Sequence, residues 1–337
     1  MAKEKSKYTQ VMDCFFSGIK LYFKYLDRFL KYLCFPILGQ LVGLFLIFSV
    51  AYFYTVNLPD LMVKYPVFNN LLVTTSILIL LVIVPFLIFA KAFYDYLIAI
   101  ASLNSMALNL TMKGKGRAKD FDPKMHDELI RRKIFNYLGL LIVLSVIGIV
   151  ALVPIFWIPA LVFFVYASLC IQVFALEERL SPYMAIHRSF TLVKHNFWAT
   201  SILLGLLFLF TYIFLPNLIV WAIDKVDGIY YLTSPFESYV KLLPIDLFNQ
   251  SIASFKIPFD FEPYEISRFI VTTVISTLII ASTLPIRCAA LTLWYKYLDD
   301  GIIEENRKQN TVDGRKVVKK IMRTPKKQQN KEKEDDI

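Results

Sequence analysis

The sequence predicts an all-α integral membrane bundle of about six transmembrane helices, with in-plane amphipathic helices on the cytoplasmic face. Two observations support this fold class. Hydrophobic residues make up 57% of the 337 residues and charged residues only 19%, and a mean hydropathy of +0.54 is not typical of a soluble domain. Several uncharged runs also reach the length of about 20 residues that a membrane span requires. This composition excludes disordered, collagen-like and disulfide-scaffold proteins and soluble Rossmann or TIM-barrel enzymes.

The N-terminal segment, residues 1–31, is predicted to form a basic amphipathic helix. Apolar residues recur from Tyr8 to Leu33 at spacings of four and three, the period of an α-helix. Lys20, Lys24 and Lys31 lie on the opposite face. An aromatic stripe backed by lysines is typical of a helix lying in the plane of an anionic leaflet. The alternative is that this stripe packs on the protein's own bundle.

Six membrane spans are predicted within a domain of residues 32–299. The longest uncharged run, Ile134 to Leu176, has 43 residues, and Pro154 and Pro159 interrupt it near the middle, so we interpret it as two spans. The final uncharged run ends at Ile286, and we extend the last span through Arg287. The predicted spans are 33–56, 69–90, 134–153, 156–176, 198–222 and 267–292.

The distribution of basic residues sets the predicted orientation. With six spans, 32 of the 37 Lys and Arg residues lie on the side that also holds both termini, and the positive-inside rule makes that side cytoplasmic. The uncharged stretch Tyr96 to Met112 offers a seventh span, but this would move the eight basic residues between Lys113 and Lys133 outside. We therefore predict a plasma-membrane protein in which residues 91–112 continue the second helix or lie in the interface.

A second amphipathic helix is predicted over residues 181–197. Ser181 followed by Pro182 is an N-cap with a first-turn proline, which indicates a helix start. We expect this helix to lie in the plane of the inner leaflet. Its apolar face holds Ile186, Phe190, Val193 and Phe197, and its polar face holds His187, Thr191, Lys194 and His195.

Residues around this helix also form a recognisable pattern. Its members are Pro159, Glu177, Glu178, Ala185, Arg188, Ser189, Lys194, Asn196, Phe197 and Trp198. The pattern resembles a bacterial family of multi-pass membrane proteins related to the membrane domain of glycerophosphodiester phosphodiesterases. The resemblance covers residues 131–299 and implies about six helices without an established reaction. Two features depart from the family, His195 and the long loop after residue 224, and phosphodiesterase activity is not implied because the hydrolytic domain is absent.

Two segments are predicted outside the membrane besides these helices. Residues 224–264 form the long outer loop, which is rich in aromatic side chains; from Asp224 to Glu265 the chain is acidic by seven residues to three. Residues 300–337 form a polar, basic cytoplasmic tail. Because the net charge of +10 falls almost wholly on the inner side, anionic lipid is a better predicted partner than nucleic acid.

Arg287 is the charged residue with the clearest need for a partner. It follows Pro285 in the inner half of the last predicted span, where an unpaired guanidinium costs several kcal/mol. We predict an ion pair with Glu177 or Glu178, for which Arg188 competes. The other interpretation is that Arg287, together with Arg188 and Lys194, binds lipid phosphate.

The sequence favours a non-enzymatic role. No histidine stands at metal-ligand spacing from a second His or Cys, and nucleophile-elbow and phosphate-loop motifs are absent from the sequence. We therefore predict no catalytic residue, cofactor or metal. The favoured function is an envelope protein whose basic amphipathic helices associate with anionic lipid or a membrane-protein partner. The alternative is a transporter or lipid flippase with a path between its helices.

Overall fold

The computed structural model describes residues 6–112, 122–177, 180–254 and 260–302. Every regular element in these ranges is helical, as the composition predicts. A π-helical segment, Leu209–Phe214, joins α9 to α10. The helices are α1 (Lys7–Lys24), α2 (Leu26–Lys64), α3 (Leu71–Met112), α4 (Pro123–Arg131), α5 (Ile134–Val150), α6 (Trp157–Ala167), α7 (Cys170–Leu176), α8 (Pro182–Val193), α9 (Phe197–Phe208), α10 (Leu215–Asp224), α11 (Gly228–Val240), α12 (Ile245–Ser254), α13 (Pro263–Ser282) and α14 (284–302).

The described chain contains helices that are long and apolar enough to cross a membrane. Five stretches meet this condition on their own. A sixth is obtained if α4 and α5, which are bent by 77° relative to each other, are counted as one span. The prediction of about six long apolar helices is therefore confirmed. The five stretches are Leu26–Lys64, Leu71–Thr111, Pro154–Leu176, Phe197–Asp224 and Pro263–Ile302.

Helix α3 decides between the alternatives for residues 91–112. It runs through 42 residues without a break, about 63 Å at 1.5 Å per residue. Residues 91–112 therefore continue the helix of the second predicted span, 69–90, and are not a separate span. The first half of α3 exposes its apolar side chains. The second half supplies much of the buried core, including Ala92, Ile98, Ala99, Ala101, Leu103, Met106, Ala107 and Leu110.

Glycines let α2 and α3 approach closely along their shared length. A Cβ on Gly43 would lie 2.7 Å from the backbone nitrogen of Phe89, and one on Gly39 would lie 2.8 Å from Cβ of Ala92. Both distances are shorter than real contacts allow. The two helices therefore form a hairpin whose spacing depends on these two residues.

The four segments that the charge bias assigned to one side contact each other at one end of the bundle. We call this region the basic end. It contains the start of α1, the second half of α3 with α4, the α7–α8 corner, and α14. The contacts that join them are those of Lys7 with His195, Tyr32 with Asp127, Lys133 with Glu177, and Arg188 with Asp299.

The stretch 224–264 is more ordered than the predicted outer loop. Its described part contains helices α11 and α12, and α11 packs along α13. The tyrosine hydroxyl of Tyr52 donates to the carbonyl of Leu242 at 2.8 Å and ties this region to α2. Ile229, Thr233 and Val240 of α11 are buried in this packing, whereas most aromatic side chains of the segment, such as Tyr231 and Tyr239, are exposed. Residues 303–337, most of the predicted tail, lie outside the described residues.

Candidate functional site

Helix α1 presents two adjacent apolar faces with different surroundings. One face is buried against α9, the π-helical segment and α14. Phe15 contacts the ring of Phe210 at a centroid distance of 5.6 Å, and a Cβ on Gly18 would lie 3.0 Å from Cβ of Ala290. The interpretation in which the whole apolar stripe lies on the membrane is therefore wrong for this face, because the bundle covers it.

The neighbouring face of α1 is exposed. It carries a row of apolar side chains, Tyr8, Met12, Phe16 and Phe23. Lys20 and Lys24 are also exposed and, at 100° per residue, follow this row around the helix away from the bundle. We call these six residues the α1 outer face. Lys31, at the start of α2, is exposed as well.

A network of charged and polar side chains joins α7, α8 and α14 at the basic end. We call it the polar junction, and its members are Glu177, Arg188, Tyr295 and Asp299. Arg188 Nε lies 3.3 Å from Glu177 Oε1, while its Nη2 donates to Asp299. The hydroxyl of Tyr295 donates to the same Glu177 oxygen at 2.9 Å. The three charged side chains are 24–32% exposed, so water screens them only in part.

Ser189 completes the packing of α8 against the apolar stretch Pro154–Leu176. It is fully buried, and its hydroxyl donates to the carbonyl of Tyr166 at 2.6 Å and accepts the N–H of Leu169 at 3.2 Å. These groups border the break between α6 and α7. The Arg-Ser pair singled out in the sequence therefore has two structural roles, because Arg188 links helix ends and Ser189 satisfies backbone groups at a break.

The other candidate residues near this junction have separate positions. Lys133 donates to the carbonyls of Phe174 and Glu177 at 3.1 and 3.0 Å, at the C-terminus of α7, where a cation is favourable. Lys194 is exposed just after α8. Glu178 lies outside the described residues. The N-cap predicted at Ser181 is confirmed, since its Oγ accepts the N–H of Met184 at 3.3 Å.

Arg287 is not paired with Glu177, so this alternative of the predicted ion pair is wrong; the other alternative, Glu178, lies outside the described residues. Its Nη1 donates to Thr211 Oγ1 and its Nη2 donates to the carbonyl of Ile280, both at 3.1 Å. The guanidinium also lies over the ring of Tyr212, 4.6 Å from the centroid. Glu177 instead pairs with Arg188, the competitor that the sequence suggested.

Buried polar side chains connect α14 with several other helices in the core. Gln172 donates to Asn104 Oδ1 at 3.2 Å, and Thr292 donates to the same oxygen at 3.2 Å. Trp294 donates to Thr200 Oγ1 at 3.0 Å. These bonds fix the register of α3, α7, α9 and α14, and the sequence reasoning missed them because scattered polar residues do not reveal their partners.

His126 is a buried group between α3 and α4. Its Nδ1 lies 2.8 Å from Ser105 Oγ and its Nε2 lies 3.1 Å from Asn109 Nδ2. With the Asn109 amide nitrogen as the donor to Nε2, a neutral ring carries its proton on Nδ1 and donates it to Ser105. Burial lowers the pKa of His126, although the carboxylates of Asp122 and Asp127 oppose this effect.

The described residues offer no arrangement that points to a bound metal. No group of three or more His, Cys, Asp or Glu side chains in these ranges has the geometry of a metal site. The four cysteines are free thiols, and burial raises the pKa of Cys14 to about 11, which keeps that thiol protonated at neutral pH. The chemistry available here is hydrogen bonding and charge recognition.

Comparison with known proteins does not add to this description. No protein-family model matches the chain, and neither a curated protein nor a solved structure matches it. The resemblance to the phosphodiesterase-associated membrane family therefore stays a prediction.

Proposed function

We propose that this chain is a non-enzymatic multi-pass protein of the plasma membrane that associates with anionic lipid through the α1 outer face. The observation that carries the proposal is the exposed row of Tyr8, Met12, Phe16 and Phe23 beside Lys20 and Lys24. Aromatic rings suit the boundary between headgroups and acyl chains, and lysines attract anionic headgroups. Because the adjacent face of α1 packs on the bundle, the helix would rest on the leaflet while fixed to the membrane domain.

The contacts at the basic end support the proposed orientation. The charge bias puts four separate segments on the cytoplasmic side, and each of them contacts another in the structure. A single surface rich in lysine and arginine would then face the anionic inner leaflet. With this orientation the N-terminus and the tail are cytoplasmic.

Native mass spectrometry provides the test. The full chain is released from bilayers that hold equal amounts of phosphatidylglycerol and phosphatidylcholine, and the retained lipids are counted. A lysine near an anionic surface contributes about 1 kcal/mol, or about five-fold in affinity. We therefore expect the preference for phosphatidylglycerol to fall at least about five-fold when Lys20, Lys24 and Lys31 are all changed to Gln.

The matched control changes the same number of lysines on the predicted outer side of the membrane. Lys64, Lys225 and Lys241 are exposed there, and their change to Gln should leave the lipid preference intact. Equal preference in the parent and in the Lys20, Lys24 and Lys31 variant would contradict the proposal. A retained protein instead of lipid would favour a membrane-protein partner.

A transporter or flippase is the second candidate, and one observation favours it. Two interrupted helices meet at Arg287, and broken helices line substrate sites in many transporters. Against it, three grooves on the described surface are lined mainly by apolar side chains. The groove of about 470 Å³ beside α13, for example, is lined by Leu243, Pro244, Ile245, Phe261, Glu265, Ile266 and Phe269.

A further inference from the structure

Two helix irregularities occur at the same place in the bundle. The first is the π-helical segment Leu209–Phe214. The second is the turn at Thr283 that separates α13 from α14, where Pro285 lacks the N–H that would continue the helix. Side chains and a carbonyl from both irregularities converge on Arg287. Irregular backbone within apolar helices is tolerated where it borders a protein-lined site.

The contacts of Arg287 hold its guanidinium without neutralising it. Thr211 Oγ1 and the Ile280 carbonyl are neutral acceptors, and the Tyr212 ring provides only a cation–π contact. Thr211 also donates its own proton to the carbonyl of Leu207 at 2.8 Å, so it offers Arg287 a lone pair. Two of the five N–H donors of the guanidinium are used in this way.

Among the described residues, no carboxylate forms an ion pair with Arg287. Glu177, one of its two predicted partners, is bonded to Arg188 and Tyr295, and Glu178 lies outside the described ranges. A cation in apolar surroundings is costly unless an anion compensates it. The planar fork of a guanidinium matches a phosphate group especially well.

The surroundings of Arg287 indicate where the anion comes from. Arg287 is half-buried, and the Tyr212 ring above it is 42% exposed on the flank of the bundle. The exposed side chains beside Tyr212 are Phe208, Leu209, Ile213 and Phe214. A ligand that reaches Arg287 from this flank would need an anionic group for the guanidinium and apolar chains to contact these exposed residues. A phospholipid has both.

We propose that Arg287 binds a phosphate group at this meeting of two interrupted helices, the phosphodiester of an anionic phospholipid being the source that the apolar flank favours. The assignment rests on the proposed membrane function. The Arg287 site is separate from the α1 outer face. The α1 outer face would contact many headgroups, whereas the Arg287 site would hold a single phosphate group.

Thermal unfolding of the delipidated full chain in a neutral detergent tests the site. The melting temperature is measured during titration with phosphatidylglycerol, phosphatidylcholine and inorganic phosphate. We expect phosphatidylglycerol to stabilise the parent most. A charge-assisted hydrogen-bonding group contributes about 1.5–3 kcal/mol, so Arg287→Gln should weaken the apparent affinity about 10- to 100-fold.

Two further variants separate a binding role from a structural one. Arg287→Lys keeps the charge and loses the fork, and Tyr212→Leu removes an exposed ring that covers the guanidinium. Both should bind phosphatidylglycerol several-fold more weakly than the parent. If Arg287→Gln does not fold, these two variants decide the question, and affinities equal to the parent's in both would overturn the proposal.

The outcomes also separate this site from the α1 outer face. The variant with Lys20, Lys24 and Lys31 changed to Gln should retain the Arg287-dependent stabilisation. Arg287-dependent stabilisation by inorganic phosphate, equal to that by lipid, would make free phosphate the ligand. If neither ligand stabilises the parent, or if Arg287→Gln responds like the parent, the Arg287 site is refuted whatever the lysine variant shows.

Discussion

Removal of Arg188 should reveal how much the polar junction stabilises the protein. This side chain links the end of α7 to α14 by pairing with both Glu177 and Asp299. Arg188→Gln shortens the side chain, keeps a polar amide and removes the charge. The carboxylates of Glu177 and Asp299 would then lose their shared cation. The hydrogen bond from the Tyr295 hydroxyl to Glu177 would still link α14 to the end of α7.

The structure bounds the size of the effect. Fully exposed ion pairs contribute about 0–1 kcal/mol, and breaking a buried pair from one side costs about 3–5 kcal/mol. Arg188 is 32% exposed and its partners are 28% and 24% exposed, so the pairs lie between these limits. We expect Arg188→Gln to lower the free energy of unfolding by about 1–3 kcal/mol.

The control is an ion pair at the same end of the bundle with high exposure. Arg132 lies 2.6 Å from Glu128, and these side chains are 71% and 65% exposed. Arg132→Gln should therefore cost less than about 0.5 kcal/mol. Unfolding in mixed micelles with increasing dodecyl sulfate measures both variants. An equal, small cost for the two would refute the idea that partial burial strengthens the junction.

Double-mutant cycles add a sharper condition. Arg188→Gln with Asp299→Asn should be non-additive, because the two residues are in contact. Arg287→Gln with Glu177→Gln should be additive within about 0.5 kcal/mol, because these residues have different partners. A coupling energy above that value would restore the ion pair that the sequence predicted.

The remaining predictions concern helix packing, pH and orientation. Gly43→Ala should destabilise the α2–α3 hairpin by about 1–3 kcal/mol, because its Cβ meets backbone; Gly205→Ala, with open space around its Cβ, is the control and should be neutral or stabilising. The lowered pKa of His126 means that the unfolded chain takes up its proton first as pH falls. Stability should therefore decline below about pH 6.5 until the folded pKa is reached, and His126→Gln should lose that part of the pH dependence; an unchanged profile would contradict a buried neutral ring. Single cysteines should label from outside at Lys64 and only from inside at Lys124, both exposed, and outside labelling at Lys124 would reject the orientation.

Much of the architecture could be predicted because it depends on local patterns. The lengths of the apolar runs predicted the long helices. Pro154 correctly marked the interruption between α5 and α6, whereas Pro159 lies in the first turn of α6. Ser181 followed by Pro182 marked the start of α8, since capping needs only neighbouring residues. The grouping of the basic segments at one end could also be predicted, because the Lys and Arg residues of each segment can be counted directly from the sequence.

Pairings between distant helices could not be predicted in the same way. The partners of Arg287 are a hydroxyl in a π-helical segment and a main-chain carbonyl. Neither group can be recognised from the sequence as a partner for an arginine. For α1, the buried row with Phe15 and Gly18 adjoins the exposed row with Phe16 and Phe23, so helical periodicity showed one broad stripe. Which part of that stripe meets the bundle depends on α9 and α14, far along the chain.

The sequence separation of the contacts in the basic end determines when that end can be completed during synthesis. Helices α2 and α3 are neighbours in the chain and pack together directly. In contrast, three residues made earlier form hydrogen bonds with α14. These bonds join Arg188 to Asp299, Thr200 to Trp294 and Asn104 to Thr292. Because the ribosome makes α14 after every other described helix, these residues lack their α14 partners in the nascent chain until α14 has been synthesised, although Arg188 and Asn104 can already bond Glu177 and Gln172.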